Sequence, residues 1–272
     1  MNQAGQAGGG LPKPGVWLRR LLITLLAVNV AFAVAINFGG ASRELFNLLC
    51  GSTELISKGQ VWRLFTAPWM HEPEGSVTHL LFALLGLFFL GPALESSWGP
   101  RRFMRFLFFS GVIAYATQLV LDWVLPESLA SRLVPAYWYG AFPVVEAIAV
   151  AWALSFKGQT VRLFFVLPVS ATGLLVFVIA MSVLRVLWVS QAAEGLLSPF
   201  GGLLAGWLLG GGTPSPLRRA WLKLKLRRLD AHAQKEAAQR RERGGLRVIE
   251  GGKGKDKPNG EGGRGPDGRW LN

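Results

Sequence analysis

HLLFALLGLFFLGPALESSWG, residues 79–99, carries the clearest structural signal in the chain. From Val77 to Leu94 the chain is apolar apart from Thr78 and His79. A helix needs about 20 mostly apolar residues to cross the hydrocarbon core, because each residue advances about 1.5 Å. The run approaches that length, and it is too continuously apolar for the alternating strands of a membrane barrel. Backbone groups in lipid must be satisfied within the segment, so the run predicts a membrane-spanning helix.

Five further segments on either side carry the same signal: Leu21–Phe38, Phe103–Val124, Tyr139–Phe156, Leu163–Leu184 and Leu196–Leu209. The last is short, but it is rich in glycine and bounded by polar turns. The expectation is an all-α membrane protein, a bundle of six transmembrane helices. Around it lie a disordered N-terminus at 1–16, a membrane domain at 17–212, a basic juxtamembrane segment at 213–243 with helical pattern, and a disordered tail at 244–272.

Charge agrees with that division. Only 17% of the residues are charged, against about 25% in a soluble domain. Residues 1–213 hold 13 Lys/Arg and 9 Asp/Glu, whereas residues 214–272 hold 16 and 7, so most of the net +13 belongs to the tail. Nucleic-acid binders interleave basic and aromatic residues on a folded surface. Here the aromatics sit in the apolar runs and the tail has only Trp221 and Trp270, so no nucleic-acid partner is expected. The single cysteine, Cys50, gives no internal disulfide.

Orientation follows from Lys and Arg. Lys13, Arg19, Arg20, Arg101, Arg102, Arg105, Lys157, Arg162 and the tail fall on one side, which places both termini in the cytoplasm. The Ala31-Phe32-Ala33 triplet loosely fits a signal-peptidase site, but the apolar stretch runs well past it, favouring a retained first span. The segment 39–76 is long for a connection and carries Trp62 and Trp69, which suit the headgroup level.

Four ordered patterns bear on identity. They are Val61-Trp62-Arg63-Leu64 in the long connection, the quoted stretch from His79 through Glu95 to Gly99, the Arg101-Arg102-Phe103 start of span three, and GGLLAGWLLG in span six, with Gly202, Gly206 and Gly210 four apart. Together they resemble the rhomboid family over about residues 17–212. Protease members of that family use a serine in a G-x-S-G motif on span four and a histidine before the glycines of span six, and stabilise the oxyanion with an H-x-x-x-N motif on span two. The resemblance places Phe142 at the serine position after Gly140, Pro199 at the histidine position, and His79 with Ala83 where histidine and asparagine stand.

Phenylalanine cannot be a nucleophile and proline cannot be a base. A serine hydroxyl needs a base within hydrogen-bonding reach to react, and loss of a triad member removes several orders of magnitude of rate. The other histidines, His71 and His232, lie in the first connection and the tail, and no histidine lies between His79 and His232. The resemblance therefore implies a rhomboid pseudoprotease with no catalytic residue, no metal and no cofactor.

Glu146 stands one turn after Phe142 and on the same helix face. A carboxylate in the hydrocarbon core costs about 2.5–3.5 kcal/mol, so it faces a partner or a wet cavity. His79 is the expected partner, with Gln118 or Arg185 as alternatives. Gly202, Gly206 and Gly210 allow close helix packing, with Ala147 and Ala151 as a matching small face. Glu95 is expected to anchor a neighbouring loop through Arg101 or Arg102, and Trp62 with Arg63 to fold the first connection onto the bundle. In the tail Arg218, Arg219, Lys223, Lys225, Arg227 and Arg228 precede the first acid. Such clusters beside a span attract anionic lipid headgroups.

Inactive members of the resembled family, such as the derlins and inactive rhomboids, imply a chaperone or adaptor that binds transmembrane segments of client proteins. The basic, glycine-rich tail points to a bacterial inner membrane. An active intramembrane serine endopeptidase and a small-molecule transporter are the competing expectations. The first lacks its reactive groups, and the second lacks the repeated broken helices of transporters.

Overall fold

The computed structural model of the chain describes residues 12–74, 77–163, 167–189, 191–210 and 216–243. The disorder expected for 244–272, and for most of 1–16, falls outside the described residues.

The first apolar run is helix α1 (Val16–Asn37), followed by the short helices α2 (Arg43–Asn47), α3 (Thr53–Ser57) and α4 (Arg63–Thr66) and a 3₁₀ turn at Ala67–Trp69. Then come α5 (Thr78–Trp98), α6 (Pro100–Val124), α7 (Glu127–Leu133) and α8 (Phe142–Ser155). A hairpin, β1 (Thr160–Leu163) and β2 (Leu167–Ser170), precedes α9 (Ala171–Trp188), α10 (Ser198–Gly210) and α11 (Pro216–Arg243). The described residues up to Lys223 form one compact unit, and those from Leu224 form a second.

Among the described residues α1, α5, α6 and α9 are long and apolar enough to cross a membrane. The fourth and sixth expected spans, α8 and α10, are shorter, at 14 and 13 residues. At about 1.5 Å per residue they cover roughly 20 Å. Their position explains this. Ten of the fourteen residues of α8 are buried, so most of its length is surrounded by protein. Non-helical backbone at membrane depth is tolerated in such surroundings.

One expected boundary is wrong. Span five begins at Ala171, not Leu163, because Thr160–Leu163 pairs antiparallel with Leu167–Ser170. Ser170 then starts α9 as its N-cap, accepting the Gly173 N–H at 3.0 Å. This satisfies one of the orphan donors of the first turn.

Gly99, at φ +81°, ends α5 and Pro100 opens α6. Glycine takes the left-handed conformation freely, and proline loses nothing at a first helical turn. The centre is built on glycine. A Cβ at Gly202 would stand 2.2 Å from Pro143 O, one at Gly206 2.5 Å from Ala147 O, and one at Gly210 2.3 Å from Ala151 Cβ. The backbones of α10 and α8 therefore touch where side chains would hold them apart.

Helix α1 lies at the periphery and is tied at both ends. Glu95, buried near the end of α5, accepts the Gly15 N–H at 2.8 Å and the Leu18 N–H at 3.3 Å. It thus caps the free donors of α1 and does not pair with Arg101 or Arg102 as expected. At the other end Asn29 donates to Trp69 O at 3.0 Å and accepts the His71 N–H at 2.7 Å, and Asn37 donates to Pro73 O at 2.8 Å.

Candidate functional site

The site is assembled from the start of α5, the start of α8, the end of α9 and the segment before α10. Phe142 is the first residue of α8, directly after the turn that holds Gly140. Gly140 has φ +122°, and a Cβ there would stand 2.3 Å from His79 Cε1. Glycine is needed at this position on both counts. Tyr115 on α6 fixes the same turn by donating to Gly140 O at 2.8 Å.

Freed by that gap, the His79 ring lies flat on Phe142, with centroids 5.2 Å apart and planes 9° from parallel. His71 closes the other side of His79, its ring centroid 5.1 Å away. Ala83, one turn along α5 from His79, is fully buried. Pro199 lies buried in the first turn of α10.

Glu194 completes the cluster, and nothing in the sequence singled it out. It is 1% exposed; its Oε1 stands 2.5 Å from Arg185 Nη2 and its Oε2 stands 3.2 Å from His79 Nε2. Burial alone would raise its carboxyl pKa. The His79 contact and the Arg185 charge outweigh that and hold it below the ordinary carboxylate range. His71, on the adjoining connection, is also lowered, in its case by burial reinforced by neighbouring His79, to about 3. His71 is thus a neutral imidazole, and its Nε2 faces the Ala141 N–H at 3.4 Å.

Glu146 does not meet His79. Its Oε1 accepts from Ser182 Oγ of α9 at 3.2 Å, and its Oε2 has no partner. Gln118, an expected alternative, is used elsewhere: its Oε1 accepts the Ser198 N–H at 3.0 Å. Arg185, the other alternative, is held by Glu194, and its guanidinium carbon lies 5.5 Å over the Phe142 ring.

Below this polar cap a cavity of about 420 Å³ opens between α5, α8 and α9. Its wall is apolar, from Phe82 and Phe89 on α5 to Phe177 and Met181 on α9, with Glu146 and Arg185 reaching it at one end. Chemically the arrangement has a fixed charge pair and an apolar groove. Neither ring nitrogen of His79 meets a hydroxyl, so the geometry lacks the nucleophile–base pair of a hydrolase. Among the described residues no three His, Cys, Asp or Glu side chains are grouped to hold a metal ion.

Two other singled-out residues, Arg63 and Trp62, belong to the first connection. Arg63 is buried and donates to Cys50 O at 2.6 Å, to Asn47 O and to Gln60 Oε1 at 2.8 Å, knitting the first connection together. Trp62 is exposed and donates to Leu48 O at 3.2 Å. Arg218, Arg219, Lys223, Lys225, Arg227 and Arg228 are exposed on α11.

The sequence model described as the rhomboid domain matches residues 58–213, more than half of the chain. The chain is also 34% identical, over 59 residues, to the Arabidopsis thaliana protein named Inactive RHOMBOID-like protein 8. That stretch covers 22% of this chain and 16% of the relative.

Proposed function

The chain belongs to the rhomboid family, and from that premise we propose that it is a catalytically inactive member that binds transmembrane segments of client proteins. The observation that carries the proposal is the pairing at the head of α8. Phe142 stands where the family serine is expected, and the His79 imidazole is stacked on Phe142, with its Nε2 3.2 Å from Glu194 Oε2. Reaction of a serine type needs a hydroxyl and a base in contact, and loss of both leaves binding as the remaining use of the cavity.

The apolar groove between α5 and α9 supports the client class. Its wall suits side chains that are themselves at home in lipid, and it opens along helices whose outward residues, such as Phe82, Val176 and Phe177, are exposed. Both termini lie on the cytoplasmic side of a bacterial inner membrane. The distribution of Lys and Arg supports the orientation, and the basic tail would meet anionic headgroups there.

The test uses the full chain reconstituted in liposomes with a rhomboid transmembrane substrate, a fluorophosphonate probe and a crosslinkable client segment. An active homologue serves as control. The expected result is no cleavage and no labelling, with crosslinking of the segment. Cleavage by material free of host proteases would overturn inactivity, and absence of crosslinking would overturn client binding.

A further inference from the structure

We propose that the segment held between α5 and α9 is one that carries a hydrogen-bond-donating side chain, and that Glu146 is the residue that reads it. The inference rests on the client-binding reading above. The cavity wall offers two polar groups, and they differ in their commitments. Arg185 is held by Glu194 at 2.5 Å and covers Phe142. Glu146 is only half satisfied. Its one donor, Ser182 Oγ at 3.2 Å, stands nearer to Val178 O, at 2.9 Å. A serine hydroxyl has a single hydrogen, so the Val178 carbonyl competes for the bond that Glu146 Oε1 receives. Glu146 Oε2 is buried and has no partner at all.

A buried carboxyl with an unused oxygen is costly in a medium without water. A ligand that supplies a donor removes that cost, and one that is wholly apolar leaves it in place. This separates the occupants. A lipid acyl chain fills the groove but has no donor at the depth of Glu146, which lies four residues, or about 6 Å, into α8. A client helix can place an asparagine amide, a hydroxyl or an ammonium group there.

The dimensions fit side chains rather than a whole helix. A helix is about 10–12 Å across, more than a cavity of about 420 Å³ can enclose. The client therefore lies along the gap between α5 and α9 and inserts one face. Gly86 sets the floor: a Cβ there would stand 2.4 Å from Val145 Cγ1, so α5 and α8 are already in contact beneath the cavity.

The experiment places a photo-crosslinker at Met181 of the full chain in liposomes. It offers a leucine-rich transmembrane peptide with one guest residue, Leu, Asn or Lys, at the depth of Glu146. Asn and Lys guests are expected to be captured about five- to tenfold better than Leu, in keeping with the strength of hydrogen bonds between membrane helices. Glu146→Leu should abolish the preference, so that Asn and Lys guests are captured no better than Leu by that variant. Glu146→Gln, which keeps an acceptor but no charge, should retain the Asn preference and lose that for Lys. Equal capture of all three guests by the unaltered protein overturns the inference and leaves the client reading standing. No capture of any guest overturns the client reading, and the inference with it.

Discussion

Arg185 Nη2 stands 2.5 Å from Glu194 Oε1, and this pair joins the end of α9 to the segment that leads into α10. Glu194 is 1% exposed and the Arg185 side chain 21%, so the carboxylate is held away from water and the guanidinium only partly. Removing one partner of a buried pair leaves an uncompensated charge, at a cost of about 3–5 kcal/mol. Arg185→Met, which leaves the buried Glu194 carboxylate without its cation, should lower unfolding stability in detergent by that order, and Glu194→Gln by less, because the Arg185 side chain keeps some exposure. Adding Glu194→Gln to Arg185→Met should recover part of the loss, and a double-mutant cycle measures the coupling. Additive effects of the two substitutions would contradict the pairing.

Acid should destabilise the fold before ordinary carboxylates titrate. His71 is neutral in the folded chain down to about pH 3, whereas an unfolded histidine takes up a proton near 6.5. Between those values the unfolded chain binds the additional proton, so stability falls as pH falls, by at most about 1.4 kcal/mol per pH unit from this group. Glu194 adds a second, lower phase. Its carboxyl is held below the ordinary range, so its contribution is present above that range and is lost as pH drops through its folded value. Thermal unfolding from pH 7.5 to 4 should show the slope, and His71→Gln should flatten the upper part of it.

Gly206→Val should disrupt the centre of the bundle. A Cβ at this position would stand 2.5 Å from Ala147 O and 2.8 Å from Val150 Cβ. Overpacking of this kind costs about 1–3 kcal/mol, and more where the obstacle is backbone. The expected outcome is lower folded yield and earlier denaturation, measured by gel filtration and thermal unfolding.

Asn29→Leu should loosen the first connection. The substitution leaves the His71 N–H and Trp69 carbonyl without the side chain that serves both. Each unpaired buried group costs about 1–3 kcal/mol. Limited proteolysis should cut more readily between α1 and α5, with little change elsewhere.

Phe142→Ser alone should not confer hydrolysis. The His79 ring lies parallel to the ring at position 142, so it presents its face rather than a ring nitrogen to the new hydroxyl, which gains no base in contact. Fluorophosphonate labelling of the variant should stay at background.

Apolar runs made the helices legible in the sequence because each covers most of a span with at most two charged residues. The hairpin ahead of α9 was not legible. Residues Leu163 to Leu167 are as apolar as a helix, and it is the pairing of Thr160 with Ser170 that reveals the strands. Intramembrane Glu146 stood out by its cost, and Arg185 only as an alternative partner for it. Glu194 did not, because it lies in an ordinary polar turn and acquires its role only when α5 and α9 close over it. Glu95 was read as a charge in search of an arginine. Its partners are backbone N–H groups of α1, which no side-chain pattern discloses. Asn29 offered a usable signal, being a polar residue inside the first apolar run.

The ties on α1 also bear on the order in which the ribosome delivers the protein. The hydrogen-bond partners that hold α1 are Trp69, His71, Pro73 and Glu95, all within 80 residues of Gly15. At about 5–20 residues per second, those partners emerge within roughly 4–16 s. The first hairpin of the bundle can thus be completed while the second half is still being made. Helix α10, by contrast, fits between α6 and α8 through glycines that tolerate no side chain. Its arrival is the late step, and a chain stalled before Ser198 would be left with the slot beside α8 unfilled.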